Sequence, residues 1–135
     1  MENRVPFEIA MDLIKRINSG DVAQICEMLT EDHIFQDSLG KRILGKETMR
    51  KGWTGYFKMV GDYKIRANEF FQQDSRVAIF GSASGTYVST AHPSATHFWE
   101  VPAAWRAVVR DGLVAEWAVY ADNEPLRKLM EERAA

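Results

Sequence analysis

The stretch HFWEVPAAWRAVVRDGLVAEWAVYA, residues 97–121, determines the fold of this chain. Asp111 and Gly112 form a strong signal for a two-residue hairpin turn, because both residue types tolerate a positive φ. The segments on either side follow the period of a β-strand, and Trp99 and Trp105 share one face of the first segment. The stretch therefore predicts two long antiparallel strands with one face directed towards a core.

Upstream of this hairpin the pattern changes from helices to strands. Apolar residues at helical spacing predict helices near 5–18, 21–29 and 46–60, a strand pair over 33–44, and strands over 63–71 and 76–89. A short helix begins near Asn123 and Pro125. Helices that are separated from a run of antiparallel strands predict an α+β domain, with three N-terminal helices on a curved, mostly antiparallel sheet and a short C-terminal helix.

Two glycines lie inside the third predicted helix. Gly52 and Gly55 would each cost about 1 kcal/mol relative to alanine at an interior helical position. We expect them to let this helix approach another backbone closely.

The composition excludes several classes of function. A chain of 135 residues suits one domain, and its 17 basic and 19 acidic residues give no electrostatic case for nucleic-acid binding. The single Cys26 rules out an internal disulfide framework and a cysteine-based metal cluster. The first residues lack the layout of a signal peptide, and no apolar run approaches the roughly 18 residues of a membrane span. We expect a soluble cytoplasmic protein that binds neither nucleic acid nor membranes.

The last two predicted strands carry apolar residues on both faces. Trp99, Trp105 and Ala107 share one face, whereas Ala104 and Val108 share the other. A sheet that is buried on both sides needs a second cover. The helices or a pocket can cover one face, and we expect a second copy of the chain to cover the outer face in a homodimer. The alternative is that loops cover it.

The segment INSGDVAQICEMLTEDHIFQDSLGKRILGKETM, residues 17–49, resembles the opening of SnoaL-like domains of the nuclear transport factor 2-like superfamily. The shared pattern is a helix that ends in N-x-G-D, a short second helix, then L-x-x-D and a strand that ends in an acid before a glycine turn. RDGLVAEWAVYADNEPL, residues 110–126, resembles the closing hairpin of that family. The resemblance implies that residues 1–135 form one cone-shaped α+β barrel around a deep, largely apolar cavity. The superfamily contains isomerases, cyclases, hydrolases, dehydratases and noncatalytic binding domains, so fold alone does not decide activity.

Asp37 has two interpretations. In QDSLG, residues 36–40, the aspartate and the glycine fit the first and fourth positions of a type I turn. In an ungapped comparison from Asn18 onward, Asp37 also falls on the catalytic base of ketosteroid isomerases, and the resemblance implies that role. Phe35 shares a strand face with Asp37 and is expected to point inward. A carboxylate in an apolar cavity is a stronger base than one in water.

The resemblance argues against a true ketosteroid isomerase. Leu13 stands where that enzyme has a tyrosine, and Arg106 stands near its second acid. If Arg106 lies on the cavity face, it is a buried cation that needs a partner, and Asp37 and Glu100 are the candidates. Arg106 then either anchors a ligand oxygen electrostatically or forms a structural ion pair. We predict Arg106 as a catalytic residue and Glu100 as a substrate-binding residue.

Two histidines, His92 and His97, flank the loop HPSATH. A histidine at the mouth of a cavity can act as an acid or a base near neutral pH, although loop histidines are often simply solvated. We predict His97 as a third catalytic residue. His33 lies beside two acidic residues without convincing zinc-ligand spacing, and we interpret it as a surface residue. We therefore expect neither a metal nor a cofactor.

The large aromatic residues can form either the core or the lining of a pocket. Trp53, Tyr56 and Phe57 lie on one face of the third predicted helix, and Trp117 shares a strand face with Val119. We predict that these residues, with Phe35, contact a ligand.

Three functions are compatible with these features. The first is a cofactor-free isomerase or cyclase that acts on a small hydrophobic carbonyl compound with Asp37 as base. The second is a noncatalytic domain that binds a hydrophobic ligand in the same cavity. The third is a dimeric scaffold with an unused cavity.

Overall fold

The computed structural model describes residues 4–88 and 96–134. The elements are α1 (Pro6–Ser19), α2 (Val22–Glu27), β1 (Leu29–Gln36), β2 (Arg42–Leu44), α3 (Lys46–Met59), β3 (Lys64–Gln73), β4 (Arg76–Val88), β5 (Thr96–Arg110), β6 (Leu113–Ala121) and α4 (Glu124–Ala134). This is the predicted order of helices and strands, and the predicted α+β fold is confirmed.

The six strands form one sheet in the order β2-β1-β6-β5-β4-β3. Every neighbouring pair is antiparallel except β1 and β6, which run parallel. At the β5–β6 turn, Asp111 has a φ of 54° and Gly112 a φ of 75°, as a two-residue hairpin requires. The predicted hairpin over 97–121 is therefore confirmed.

Local signals set the ends of the first two helices. Gly20 has a φ of 74°, and its N–H donates to the carbonyl of Ile17 at 3.0 Å, which ends α1 in a left-handed cap. The Asp21 carboxylate accepts a hydrogen bond from the Gln24 N–H at 3.2 Å and caps α2. None of the described helices has the length and apolar character needed to cross a membrane.

The second helix is shorter, and the first strand begins earlier, than the sequence predicts. Met28 and Leu29 were expected to extend the apolar face of α2, but α2 ends at Glu27 and Leu29 opens β1. The Met28 carbonyl instead accepts a hydrogen bond from the N–H of Val114 at 2.7 Å. Pairing with β6 outweighs the helical periodicity, because a helix of two turns has little stability of its own.

The sheet has one buried and one open face. Alternate residues of β5 from Trp99 to Val109 are buried, and the residues between them are half-buried or exposed. Helix α1 packs on the buried face through a stripe of apolar side chains, namely Ile9, Ala10, Leu13, Ile14 and Ile17. The inward face of β5 therefore contributes both to the core and to the cavity described below.

A bulge bends the sheet between β3 and β4. The register between these strands shifts between Ala67 and Glu69, next to Gly81 of β4. A Cβ atom on Gly81 would lie 1.8 Å from the backbone oxygen of Arg66. Gly81 thus permits a close approach of two backbones beside the bulge.

The expected role of Gly52 and Gly55 is wrong. Both residues are exposed, and no atom outside their local helix lies within 4 Å of a Cβ built on either one. Neither glycine therefore permits a backbone approach. Gly52 lines the cavity, whereas Gly55 does not.

Candidate functional site

A cavity of about 250 Å³ opens between the inner face of the sheet and the helices α3 and α4. Most of its lining is aromatic or aliphatic, and these side chains are Phe35, Ile43, Met49, Trp53, Tyr56, Tyr63, Ala83, Trp99, Val101, Trp105, Trp117, Val119, Ala121 and Leu126. The remaining lining residues are Asp37, Ser38, Gly52 and Asn123. Asp37 is the one acidic residue among them.

Asp37 lies in the turn that follows β1. The Gly40 N–H donates to the Asp37 carbonyl at 3.0 Å, which closes the predicted four-residue turn. The carboxylate oxygen Oδ1 accepts hydrogen bonds from the N–H groups of Leu39 and Lys41, each at 2.9 Å. The other oxygen, Oδ2, forms no hydrogen bond with any residue in the described part of the chain. The carboxylate also forms no salt bridge with any of these residues. The turn therefore orients the carboxylate and leaves one oxygen available.

A cluster of aromatic rings forms one wall of the cavity, with Trp53 at its centre. The centroid of its ring system lies 6.5 Å from that of Phe35, 6.2 Å from that of Tyr56 and 6.3 Å from that of Tyr63. Tyr56 and Tyr63 pack edge to face, with centroids 5.2 Å apart. Such contacts hold the rings in defined orientations.

The two tyrosines are neutral at physiological pH. Burial raises the pKa of the Tyr56 phenol, and the nearby Tyr63 raises it further. Burial also raises the pKa of the Tyr63 phenol, and a hydrogen bond from the Trp105 indole opposes this effect. The cavity thus contains hydroxyl groups that can donate hydrogen bonds but do not ionise there.

Six of the residues predicted for the site do line the cavity. They are Phe35, Asp37, Trp53, Tyr56, Trp117 and Val119. The register explains how the strands bring them together, because Phe35 pairs with Trp117 across the parallel β1–β6 ladder. Phe57 does not line the cavity but stacks on Trp53, with ring centroids 5.4 Å apart, and so supports the wall.

The predicted positions of Arg106 and Glu100 at the cavity are wrong. Arg106 lies on the outer face of the sheet, where Nη1 is 3.3 Å from the carboxylate of Glu116. Side chains alternate along β5, and Trp105, which is 1% exposed, occupies the inward position beside it. Glu100 shares the outer face and is exposed, so neither residue reaches Asp37.

The histidines also differ from expectation. His97 is half-buried at the start of β5, opposite Tyr87, and does not line the cavity. His92 lies outside the described residues. His33 is not a surface residue, since it is 1% exposed and its Nδ1 donates to the carbonyl of Val114 at 2.8 Å. Burial lowers the pKa of His33 and favours its neutral form.

Several lining residues were not predicted for the pocket. Trp99 and Trp105 were assigned to core or dimer packing, although their shared strand face with Val101 was a usable signal. Tyr63 opens the strand predicted over 63–71 and has the same parity as the buried Ile65, so the alternation marked it as inward-facing but not as a lining residue. Ser38 and Asn123 also line the cavity, and the Asn123 amide donates a hydrogen bond to the Ser38 hydroxyl. This bond links the turn that carries Asp37 to the start of α4.

The described residues contain no group of three or more histidine, cysteine, aspartate or glutamate side chains that could hold a metal ion. Asp37 is the one residue of these types in the described cavity lining. The arrangement thus combines one carboxylate with an apolar cavity and neutral hydrogen-bond donors.

Comparison with known proteins places this fold in a recognised class. The fold is similar to that of a candidate SnoaL-like polyketide cyclase from Shewanella denitrificans OS-217, with a TM-score of 0.82 and 12% identity over 94% of this chain and 97% of that chain. A second candidate SnoaL-like polyketide cyclase, from Shewanella putrefaciens CN-32, gives a TM-score of 0.82 and 14% identity over 97% and 99% of the two chains. IdmH, a candidate polyketide cyclase from Streptomyces antibioticus, gives a TM-score of 0.78 and 19% identity over 95% of this chain and 99% of that chain. At these identities the likeness establishes the fold.

A family model described as a SnoaL-like domain matches residues 11–117. The chain belongs to this SnoaL-like family, and the predicted resemblance is confirmed. No curated protein matches the chain at a significant level.

Proposed function

We propose that this protein binds a small hydrophobic carbonyl compound in its cavity, and that Asp37 acts as the base in cofactor-free proton transfer of the isomerase or cyclase type. The observation that carries the proposal is the position of Asp37, the one carboxylate among the described lining residues of a largely aromatic cavity. Two backbone N–H groups hold Oδ1, so Oδ2 is the oxygen that would take the proton. The phenols of Tyr56 and Tyr63 would donate hydrogen bonds to a developing enolate oxygen.

The test of the base is hydrogen–deuterium exchange at the carbon next to a carbonyl group. Steroid, terpenoid and aromatic polyketide ketones are incubated with the protein in D₂O, and loss of the α-proton signal is followed by NMR. We expect Asp37→Asn to slow exchange by at least about 100-fold, because a positioned base contributes that much or more. The asparagine oxygen can still accept both turn hydrogen bonds, so the turn is retained.

A matched control separates the role of the carboxylate from a general effect of charge. Asp32→Asn removes one negative charge from β1 at an exposed position, where Asp32 pairs with Arg110 and does not line the cavity. Exchange should be unchanged in this variant. Equal exchange rates for the parent protein and Asp37→Asn would overturn the role of Asp37 as base.

A second candidate function is noncatalytic binding of a hydrophobic ligand. It is favoured by the lack of a second acid–base side chain beside Asp37 among the described lining residues, since tyrosines of raised pKa are weak acids. The two functions predict the same ligands, but only the catalytic function predicts exchange of the α-proton of a bound ketone. Binding of a ketone without any α-proton exchange would support the noncatalytic function.

Binding to the cavity itself can be tested with two glycines of α3. Gly52 lines the cavity and Gly55 does not, yet both are exposed and have open space at the Cβ position. A ligand at 100 times its dissociation constant should stabilise the protein by about 2.7 kcal/mol in thermal unfolding. We expect Gly52→Leu to reduce this stabilisation and Gly55→Leu to retain it. A broad ligand library without any shift would favour the scaffold function.

The outer face of the sheet supports a homodimer as part of this proposal. Phe80 and Tyr120 on this face are 44% and 51% exposed. Together with Pro102 and Ala104 they line a shallow depression of about 430 Å³. A second copy of the chain would remove these apolar side chains from water. The cytoplasmic location of the protein stays a prediction from the sequence.

The dimer is tested by light scattering after size-exclusion chromatography. The parent protein should have twice the chain mass of 15.4 kDa, and Phe80→Glu should shift it towards the monomer. Leu39→Glu is the matched control, because Leu39 is 85% exposed in the turn after β1, away from the outer depression. A monomeric parent protein at micromolar concentration would refute the dimer.

A further inference from the structure

The cavity carries negative charge and no compensating cation. Asp37 is the one ionisable side chain with a charge at neutral pH among its described lining residues, and none of them is lysine, arginine or histidine. Asp37 forms no salt bridge with any residue in the described ranges. The basic residues predicted for the site, Arg106 and His97, lie outside the cavity.

The carboxylate of Asp37 is half-buried at the edge of the apolar cavity, so a ligand that enters the cavity displaces part of its water. Removing a charge from water is costly unless an opposite charge or several hydrogen bonds replace the water. The turn supplies two N–H donors to Oδ1 of Asp37, and Oδ2 has none from the described residues. The missing interaction is therefore one that a ligand with a positive group can supply.

The aromatic wall has the same electrostatic preference. The face of an aromatic ring carries partial negative charge and attracts cations, and indole rings do so most strongly. Four tryptophans line this cavity, namely Trp53, Trp99, Trp105 and Trp117. The planes of Trp53 and Tyr56 meet at 86°, and those of Tyr56 and Tyr63 at 89°, so the wall is a corner of several rings and not a flat stack. Such a corner can surround a rounded, charged group.

We propose that the preferred ligand of this cavity is a hydrophobic organic cation, an amine or quaternary ammonium compound whose charged group lies beside Asp37 and the aromatic rings. This inference rests on the binding part of the proposed function, namely that the cavity binds a small hydrophobic compound. A cation paired with Asp37 would compete with a carbonyl substrate for this carboxylate and would weaken it as a base. The same features disfavour carboxylates and phosphates, because no described lining side chain carries a positive charge that would neutralise them.

The experiment compares three ligands of similar shape by titration calorimetry. Phenyltrimethylammonium is the cation, tert-butylbenzene is its neutral isostere, and benzoate is the anion. We expect the cation to bind at least tenfold more tightly than the isostere, and benzoate to show no binding. In Asp37→Asn the affinity for the cation should fall at least tenfold, whereas that for tert-butylbenzene should not change. Asp32→Asn, with the same loss of charge outside the cavity, should behave as the parent protein.

The outcomes separate this inference from the function on which it rests. Equal affinity for the cation and the isostere, or preference for benzoate, would overturn the charge preference and leave a hydrophobic binding site. An Asp37→Asn variant that keeps its full preference for the cation would also overturn the assigned role of Asp37. Failure of the cation to bind would overturn the inference, whereas α-proton exchange or thermal stabilisation with the ketones would leave the proposed function standing.

Discussion

The glycine at the β3–β4 bulge provides a sharp test of how this sheet is built. A Cβ atom added at Gly81 would lie 1.8 Å from the backbone oxygen of Arg66 and 2.9 Å from its carbonyl carbon. Real Cβ atoms essentially never approach another atom to less than 3.0 Å. In Gly81→Ala the two strands must therefore move apart by more than 1 Å, and no flexible side chain is available to absorb the movement.

The expected loss of stability in Gly81→Ala depends on which atoms the added Cβ would contact. Adding one carbon to a tightly packed site typically costs 1–3 kcal/mol. The obstacle here is backbone within a hydrogen-bonded ladder, so we expect a loss of about 3 kcal/mol in the free energy of unfolding. A domain of this size has a total stability on the order of 10 kcal/mol. The loss corresponds to a decrease in the melting temperature of about 10 °C.

Urea unfolding followed by tryptophan fluorescence measures this change. Gly55→Ala is the control, because the same substitution at this open helical position should stabilise the protein by up to about 1 kcal/mol. The two variants should thus change stability in opposite directions. A Gly81→Ala variant as stable as the parent protein would show that β3 and β4 are not held this close together.

Three further substitutions test other parts of the structure. Burial lowers the pKa of His33 in the folded state, so the unfolded chain binds a proton first as the pH falls below 6.5. The free energy of unfolding should therefore decrease with acid by up to about 1.4 kcal/mol per pH unit. His33→Gln should flatten that slope, and an unchanged slope in urea titrations would contradict the assignment. Asn18→Ala removes side-chain hydrogen bonds to both the N–H (2.7 Å) and the carbonyl (3.0 Å) of Ile65, and should cost about 2 kcal/mol. Arg106→Met breaks only a partly exposed ion pair with Glu116 and should cost less than about 1 kcal/mol, without a change in ligand affinity.

The fold was predictable because its decisive signals are local. The Asp111-Gly112 turn, the left-handed Gly20 and the turn that begins at Asp37 are each specified by residues that are adjacent in the sequence. The alternation around Trp105 likewise identifies the buried face of β5 without knowledge of any partner strand. These signals agree with one another, and together they predict the helices and the antiparallel strands.

The error at His33 comes from contact between distant parts of the chain. His33 looked like a surface residue beside acids, and only its neighbour on β6, 81 residues later, buries it. Arg106 was expected inside because of its apolar surroundings, although the alternation with Trp105 already indicates the outer face, where Glu116 of the adjacent strand is its partner. Tyr63 shares the inward face of the strand predicted over 63–71 with Ile65, but this alternation does not indicate that the face lines a cavity. Single-sequence periodicity contains no information about which strands become neighbours.

The parallel pairing of β1 with β6 affects the order in which the protein can form during synthesis. The strand that leads to Asp37 is made early, but the partner that it needs emerges from the ribosome much later. Until then the only strand of the sheet with which β1 can pair is β2, and a two-stranded ribbon has marginal stability in water unless a helix such as α3 packs on it. The antiparallel strands β3 to β6 can pair as each successive segment is completed, because their contacts are between neighbours in the chain. The strand that leads to Asp37 is thus the last part of the cavity wall to pair with the rest of the sheet. A nascent chain that stalls before β6 would contain most of the aromatic residues but no assembled cavity.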